Sequence, residues 1–236
     1  MAQGWPSTKL FARASARGSK EGKTAVLLTT GALNPVHLGH VDMLVQARRC
    51  LETEGFDVLG GFVSPSNDLY VKPKCQSLKT LFIPGSERLE MVRLACEESD
   101  WLDVGNWECQ QQGYWPDFPE VVQALQKFLQ STVEPSLQKA MVVYVCGMDH
   151  FEKCGLRFGL RRPGQGVLVI PRAGQSPGHA PQPGSNVFHA TESNPALAHV
   201  SSTAVRKALV SGSSLEGLVH LKVEQHLRNL FSQTPQ

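Results

Sequence analysis

At 236 residues the chain has room for one large domain or two small ones, and 41% apolar against 19% charged residues excludes a disordered polymer. Lys and Arg number 23 and Asp and Glu 21, a formal charge of +2 that is too even for a nucleic-acid coat or a polybasic membrane binder. No apolar run approaches the roughly 20 residues of a bilayer span, so a soluble protein with neither nucleic acid nor membrane as partner is expected.

In chain order, residues 1–22 come first. They carry Lys9, Arg13, Arg17 and Lys20, several serines and no acid before Glu21. We read them as a basic tail or a short helix over residues 9–17. The same composition suits an organelle transit peptide. The six cysteines (Cys50, Cys75, Cys96, Cys109, Cys146, Cys154) never form a C-x-x-C pair, which points to a reducing compartment. The expected location is cytoplasmic or nuclear, or mitochondrial if residues 1–20 act as a transit peptide.

Residues 25–30 form a continuous apolar, β-branched run typical of a central strand covered on both faces. Val41, Leu44, Val45 and Leu51 then recur at helical spacing over residues 39–54. Strands are expected at 56–64, 101–104, 141–146 and 166–170, and helices at 85–98, 118–129, 202–211 and 214–231. This alternation predicts an α/β fold with a mostly parallel sheet and helices on both faces. We expect residues 23–236 to be a single domain, with residues 172–185, rich in Gly, Pro and Gln, as a mobile surface loop.

The segment Thr29-Thr30-Gly31-Ala32-Leu33-Asn34-Pro35-Val36-His37-Leu38-Gly39-His40 joins the first strand to the first core helix. Ligands of open α/β sheets bind at such strand ends. Gly31 permits a tight turn and close approach of backbone N–H groups to a phosphate, and the helix N-terminus adds free donors and partial positive charge. His37 and His40 share one face of the first helical turn and can grip one polyanion. Gly39 between them leaves that face open. Neither a P-loop nor a G-x-G-x-x-G spacing is present, and a zinc site would lack a third ligand at fixed spacing. Far downstream, Ser201, Ser202 and Thr203 precede a helix with Arg206 in its first turn, a second set of donors suited to phosphate oxygens. Gly147 and Asp149 follow an apolar strand, so Asp149 emerges at the same carboxyl edge of the sheet.

H-x-G-H after a first strand with S-S-T-x-x-R near the C-terminus resembles the nucleotidylyltransferase superfamily. Ser64-Pro65-Ser66-Asn67-Asp68-Leu69-Tyr70-Val71-Lys72, Arg88-x-x-Met91, Trp101-x-Asp103-Val104-x-x-Trp107-Glu108 and Cys146-Gly147-Met148-Asp149 are similar to segments of the eukaryotic-type nicotinamide mononucleotide adenylyltransferases. The likeness runs in order from about Ala25 to Phe231. It implies a Rossmann-like, doubly wound nucleotidylyltransferase fold and a reaction: adenylyl transfer from ATP to nicotinamide mononucleotide, giving NAD and pyrophosphate, with nicotinic acid mononucleotide as a further acceptor.

The resemblance also assigns roles. His37 and His40 would hold ATP phosphates, His40 stabilising charge at the α-phosphate. Ser202, Thr203 and Arg206 would hold the departing β- and γ-phosphates. Gly31 and Ala32 would contact ATP through backbone, and Gly147 and Asp149 would take the adenosine. Leu33, Asn34, Lys72 and Trp101 would bind the mononucleotide, with Trp101 stacked on the pyridinium ring and Trp107 left to packing. Mg²⁺ is expected mainly on the ATP oxygens rather than in a protein cage.

Two departures stand out. The family's G-S-F-N-P is Gly31-Ala32-Leu33-Asn34-Pro35 here, which loses a hydroxyl. The second Trp expected after Asp149 is absent from Cys154-Gly155-Leu156-Arg157-Phe158-Gly159-Leu160, where Phe158 is the candidate replacement. Other acceptors, as in pantetheine-phosphate adenylyltransferases and cytidylyltransferases, or a non-catalytic, chaperone-like homologue, are the competing readings. Oligomeric state stays open, a homo-oligomer included.

Overall fold

The computed structural model describes residues 4–18, 20–171, 185–190 and 194–232. A first helix, α1 (Thr8–Arg17), leads into β1 (Lys23–Gly31), α2 (Leu38–Thr53), β2 (Phe56–Pro65), α3 (Asp68–Ser77), α4 (Gly85–Cys96) and β3 (Leu102–Val104). The second half holds α5 (Phe118–Gln130), α6 (Pro135–Gln138), β4 (Met141–Gly147), α7 (Met148–Lys153), β5 (Gln165–Ile170), β6 (Val187–His189), α8 (Ser202–Ser211) and α9 (Leu221–Ser232).

The six strands form one sheet in the order β3-β2-β1-β4-β5-β6, and every pair is parallel. This is the doubly wound order, and the expected α/β fold is borne out. Its direction of winding reverses between β1 and β4, so their carboxyl ends open a crevice where ligands of such sheets bind.

Both faces of the sheet are covered, which explains the continuous apolar run in β1. Ala25 and Leu27 pack toward α2, α4, α8 and α9, while Val26 and Leu28 pack toward α1 and α5, and all four are fully buried. The N-terminal segment belongs to the second layer. Trp5, Leu10 and Ala14 are buried there, and the Lys9 ammonium donates to the carbonyls of Cys96 (2.8 Å) and Leu102 (2.9 Å). The Gly4 carbonyl accepts from the amides of Asn106 and Trp107, so this segment also fastens the turn that follows β3.

Several elements differ from expectation, the short helices α6 and α7 among them. The closing helix starts at Leu221 rather than near residue 214, because Gly217 adopts φ 72° and breaks the run. Helix α3 was not among the expected helices; it tolerates Pro73 in its interior, and Asn67 starts it by accepting from the Leu69 amide (2.9 Å). Strand β6 is a three-residue edge strand paired with β5. The loop expected over 172–185 lies outside the described residues except for Ser185. Among the described residues, no helix is long and apolar enough to cross a membrane.

Candidate active site

The loop after β1 and the start of α8 meet although 167 to 172 positions separate them. Ser202 Oγ donates to the Pro35 carbonyl at 2.8 Å, and Arg206 donates to the Asn34 carbonyl at 2.7 Å. A second Arg206 nitrogen reaches Thr203 Oγ1 at 3.0 Å, and its Nε has no partner among the described residues. Burial pulls the Arg206 pKa down, so an anion arriving at this guanidinium relieves a cost already incurred. Ser201 caps α8 by accepting from the Ala204 amide (3.1 Å), which places Ser202 and Thr203 in the first turn of the helix.

His37 and His40 lie side by side at the start of α2, ring centroids 3.6 Å apart. The His37 backbone N–H donates to His40 Nδ1 (3.2 Å), so in the neutral ring the His40 proton sits on Nε2. Burial lowers the His37 pKa to about 4, and burial followed by the neighbouring His37 holds His40 well below its ordinary value. Both imidazoles are therefore neutral N–H donors at pH 7. Gly39 has a different use from the one expected: a Cβ there would lie 3.1 Å from the His37 ring, so the glycine makes room for that imidazole.

The turn itself is held from beneath. Leu33 has φ 42° and a buried side chain, so it offers a ligand only backbone. Asn34 corrects the expectation of a ligand contact. Its Oδ1 accepts from the Ile83 amide (2.9 Å) and its Nδ2 donates to the Leu81 carbonyl (2.6 Å), which commits the side chain to shaping the loop. The Ala32 carbonyl is taken by Arg88, and Gly31 closes β1 opposite Pro65. Gly147 ends β4 and Asp149 stands exposed in the first turn of α7, at the same edge as Gly31.

On the acceptor side, Trp101 is a clear correction. It is 8% exposed, its carbonyl accepts from the Gly61 amide in mid-sheet, and Arg48 lies 5.0 Å over its ring. Gly61 pairs with Leu27, four residues before Gly31, so Trp101 sits about 13 Å back along the strands from Gly31 at roughly 3.3 Å per residue. It is a core residue. The aromatic surface at the correct edge is instead Tyr70 on α3 and Trp115 in the loop before α5, with ring centroids 5.4 Å apart and Trp115 47% exposed. Lys72 is exposed on α3, two residues after Tyr70. Phe158 is 61% exposed on a short 3-10 turn with Arg157 over its ring (4.6 Å), a solvent-facing position rather than a wall built into the crevice.

Buried polar groups that the sequence left without a role support this edge. The Tyr144 hydroxyl lies between Thr30 Oγ1 (3.3 Å) and His150 Nε2 (3.2 Å), with Phe118 stacked on its ring. Glu108 accepts from Ser64 Oγ at 3.0 Å, and burial pushes its carboxyl up to about 7 against the pull of the Ser66 and Ser64 hydroxyls. Its folded pKa thus exceeds the ordinary 4.5. The resulting stability is fully present below about pH 4.5 and is lost as pH rises through about 7. Glu108→Gln is expected to remove that slope and to raise stability at about pH 8 by something on the order of 3 kcal/mol. Denaturant unfolding across that range measures it, and a variant that keeps the wild-type slope would assign the titration to another group.

The sequence profile of the cytidylyltransferase-like family matches residues 28–208, from β1 through most of α8. The chain belongs to the cytidylyltransferase-like family. Within it, the nicotinamide/nicotinic acid mononucleotide adenylyltransferase of Arabidopsis thaliana is 35% identical over 130 residues, 55% of this chain and 51% of its own length. The protein of that name from Oryza sativa subsp. japonica is 37% identical over 109 residues, 46% of this chain and 41% of its own. Nicotinamide/nicotinic acid mononucleotide adenylyltransferase 2 of Danio rerio is 42% identical over 87 residues, 36% of this chain and 26% of its own. These matches bear out the resemblance read from the motifs. This cytidylyltransferase-like chain spans about half or less of the length of those relatives. Among solved structures, Plasmodium falciparum nicotinic acid mononucleotide adenylyltransferase complexed with NaAD shares the fold, with a TM-score of 0.54 and 13% identity over 88% of this chain and 96% of that one.

Proposed function

We propose that the chain transfers the adenylyl group of ATP to a pyridine mononucleotide, the nicotinamide or the nicotinic acid form, producing NAD or deamido-NAD and pyrophosphate. The observation that carries this reading is the junction of the two donor sets. Arg206 and Ser202 bond to the backbone of the turn that leads into His37 and His40, so one polyphosphate reaches both. The activity for which the relatives are named supplies the acceptor class.

In the reaction a phosphate oxygen of the mononucleotide attacks the α-phosphorus. The new P–O bond forms as the bond to the bridging α–β oxygen breaks, and the electron pair leaves with pyrophosphate. Such transfers need positioning and neutralised charge more than covalent help. His37 and His40 donate to the triphosphate, His40 chiefly to oxygens of the α-phosphorus as charge builds. Ser202, Thr203 and Arg206 hold the leaving pyrophosphate, while Gly147 and Asp149 bound the adenosine. Imidazole, hydroxyl and guanidinium donors suit phosphate oxygens, so Mg²⁺ enters on the substrate as Mg-ATP.

For the acceptor, Lys72 takes the phosphate, and Tyr70 with Trp115 replaces Trp101 as the aromatic wall. Trp115→Ala is expected to raise the mononucleotide KM about tenfold, the weight of one base–aromatic stack, and to leave the ATP KM unchanged. Trp101→Leu is expected to lower the melting temperature without moving either KM. Steady-state kinetics on both variants decide the assignment. The reading as a whole is tested by incubation with Mg-ATP and each mononucleotide, measuring pyrophosphate and dinucleotide. Turnover only with another phosphorylated acceptor, or none at all, would overturn it.

A further inference from the structure

Arg88 is fully buried, yet it belongs to none of the groups that meet substrate in the proposed reaction. Its guanidinium has three acceptors on three segments: the Ala32 carbonyl in the turn after β1 (2.8 Å), the Ile83 carbonyl before α4 (3.0 Å) and Asp68 Oδ1 at the start of α3 (2.5 Å). The other Asp68 oxygen accepts from the Gly85 amide at the start of α4 (3.0 Å). Asn34 closes the ring by bonding the Ile83 amide and the Leu81 carbonyl.

A buried cation of this kind adds little net stability, because its desolvation cost offsets most of the attraction to its partners. What a rigid, planar fork supplies is geometry. From these contacts we infer that Arg88 is a positioning residue for the acceptor: through Asp68 it sets α3, which carries Tyr70 and Lys72, at a fixed distance from the turn that holds the nucleotide. The inference rests on the acceptor reading given above. An error of about 1 Å between two reacting partners costs on the order of a hundredfold, so such a brace governs productive binding. The nucleotide side is fastened separately, through the Arg206 and Ser202 bonds to Asn34 and Pro35.

The test separates the two sides of the site. Asp68→Asn leaves the Arg88 bonds to Ala32 and Ile83 in place and removes the charged link to α3. Its mononucleotide KM is expected to rise at least tenfold while the ATP KM stays within twofold. The double variant Arg88→Met with Asp68→Asn leaves no unpaired buried charge, and it is expected to melt close to wild type with the same rise in mononucleotide KM. If the double variant does not fold, Asp68→Asn decides alone. Mononucleotide KM within twofold of wild type in a folded variant overturns the inference and leaves the function standing. A wild-type protein that forms no dinucleotide overturns the function, and the inference with it.

Discussion

His40→Ala is expected to lower kcat between a hundredfold and a thousandfold while the ATP KM changes by no more than about threefold, the pattern of a donor that acts mainly in the transition state. The geometry gives the reason. The His37 amide occupies Nδ1 of His40 at 3.2 Å, which leaves Nε2–H as the donor, and burial with the neighbouring His37 keeps the ring neutral. A neutral N–H bonds the ground-state triphosphate modestly and gains strength as charge accumulates on the oxygens of the α-phosphorus. Because His37 ionises near 4 rather than at its ordinary 6.5, the stability it contributes is present above about pH 6.5 and is lost as pH falls toward 4. Over the neutral range neither imidazole changes charge in the free protein, so the loss of kcat/KM in His40→Ala should be the same at pH 6.5 and pH 8, on the order of 3–4 kcal/mol of barrier. Equal losses in ATP binding and turnover would make His40 a ground-state ligand, and an unchanged kcat would remove it from the mechanism.

The two donor segments that meet at the turn after β1 were legible because they consist of local signals at strand-to-helix turns. Gly31, His37 and His40 follow a buried strand, and Ser201 announces a helix that Gly212 ends with φ 70°. The strands themselves were legible because β1 and β4 are covered on both faces, which writes unbroken apolar runs into the chain. The surroundings of Trp101, Trp115 and Asn34 were not. Trp101 and Trp115 flank the same three-residue strand, and only depth along the sheet separates a core tryptophan from an exposed one. Asn34 looks like a ligand in a loop motif, but its partners lie 47 and 49 positions away. Arg88 and Glu108 stood inside recognisable segments, yet their burial and partners follow from packing that no spacing rule carries. Helix α3, which bears Lys72, carries Pro73 in its interior, a residue type that helix-spacing signals do not anticipate there.

Arg206→Ala is expected to raise the ATP KM between tenfold and a hundredfold and to weaken pyrophosphate binding by a similar factor, as loss of one charged hydrogen-bonding group worth about 1.5–3 kcal/mol requires. The residue has two duties. It donates to the Asn34 carbonyl at 2.7 Å, tying α8 to the turn after β1, and it presents a half-buried cation beside Thr203 Oγ1 at 3.0 Å. Loss of the first duty alone would lower the melting temperature and disturb His37 and His40 indirectly. Loss of the second would cost affinity for the leaving group itself. Arg206→Lys separates them, because an ammonium keeps the charge but cannot bond Asn34 and a phosphate with the rigid fork of a guanidinium. If charge dominates, lysine restores most of the pyrophosphate affinity measured by calorimetry. If registry of α8 against the turn dominates, lysine restores little, and the melting temperature stays low in both variants. Pyrophosphate affinity unchanged in Arg206→Ala would instead place the leaving group away from α8, and the two donor sets would no longer serve one triphosphate.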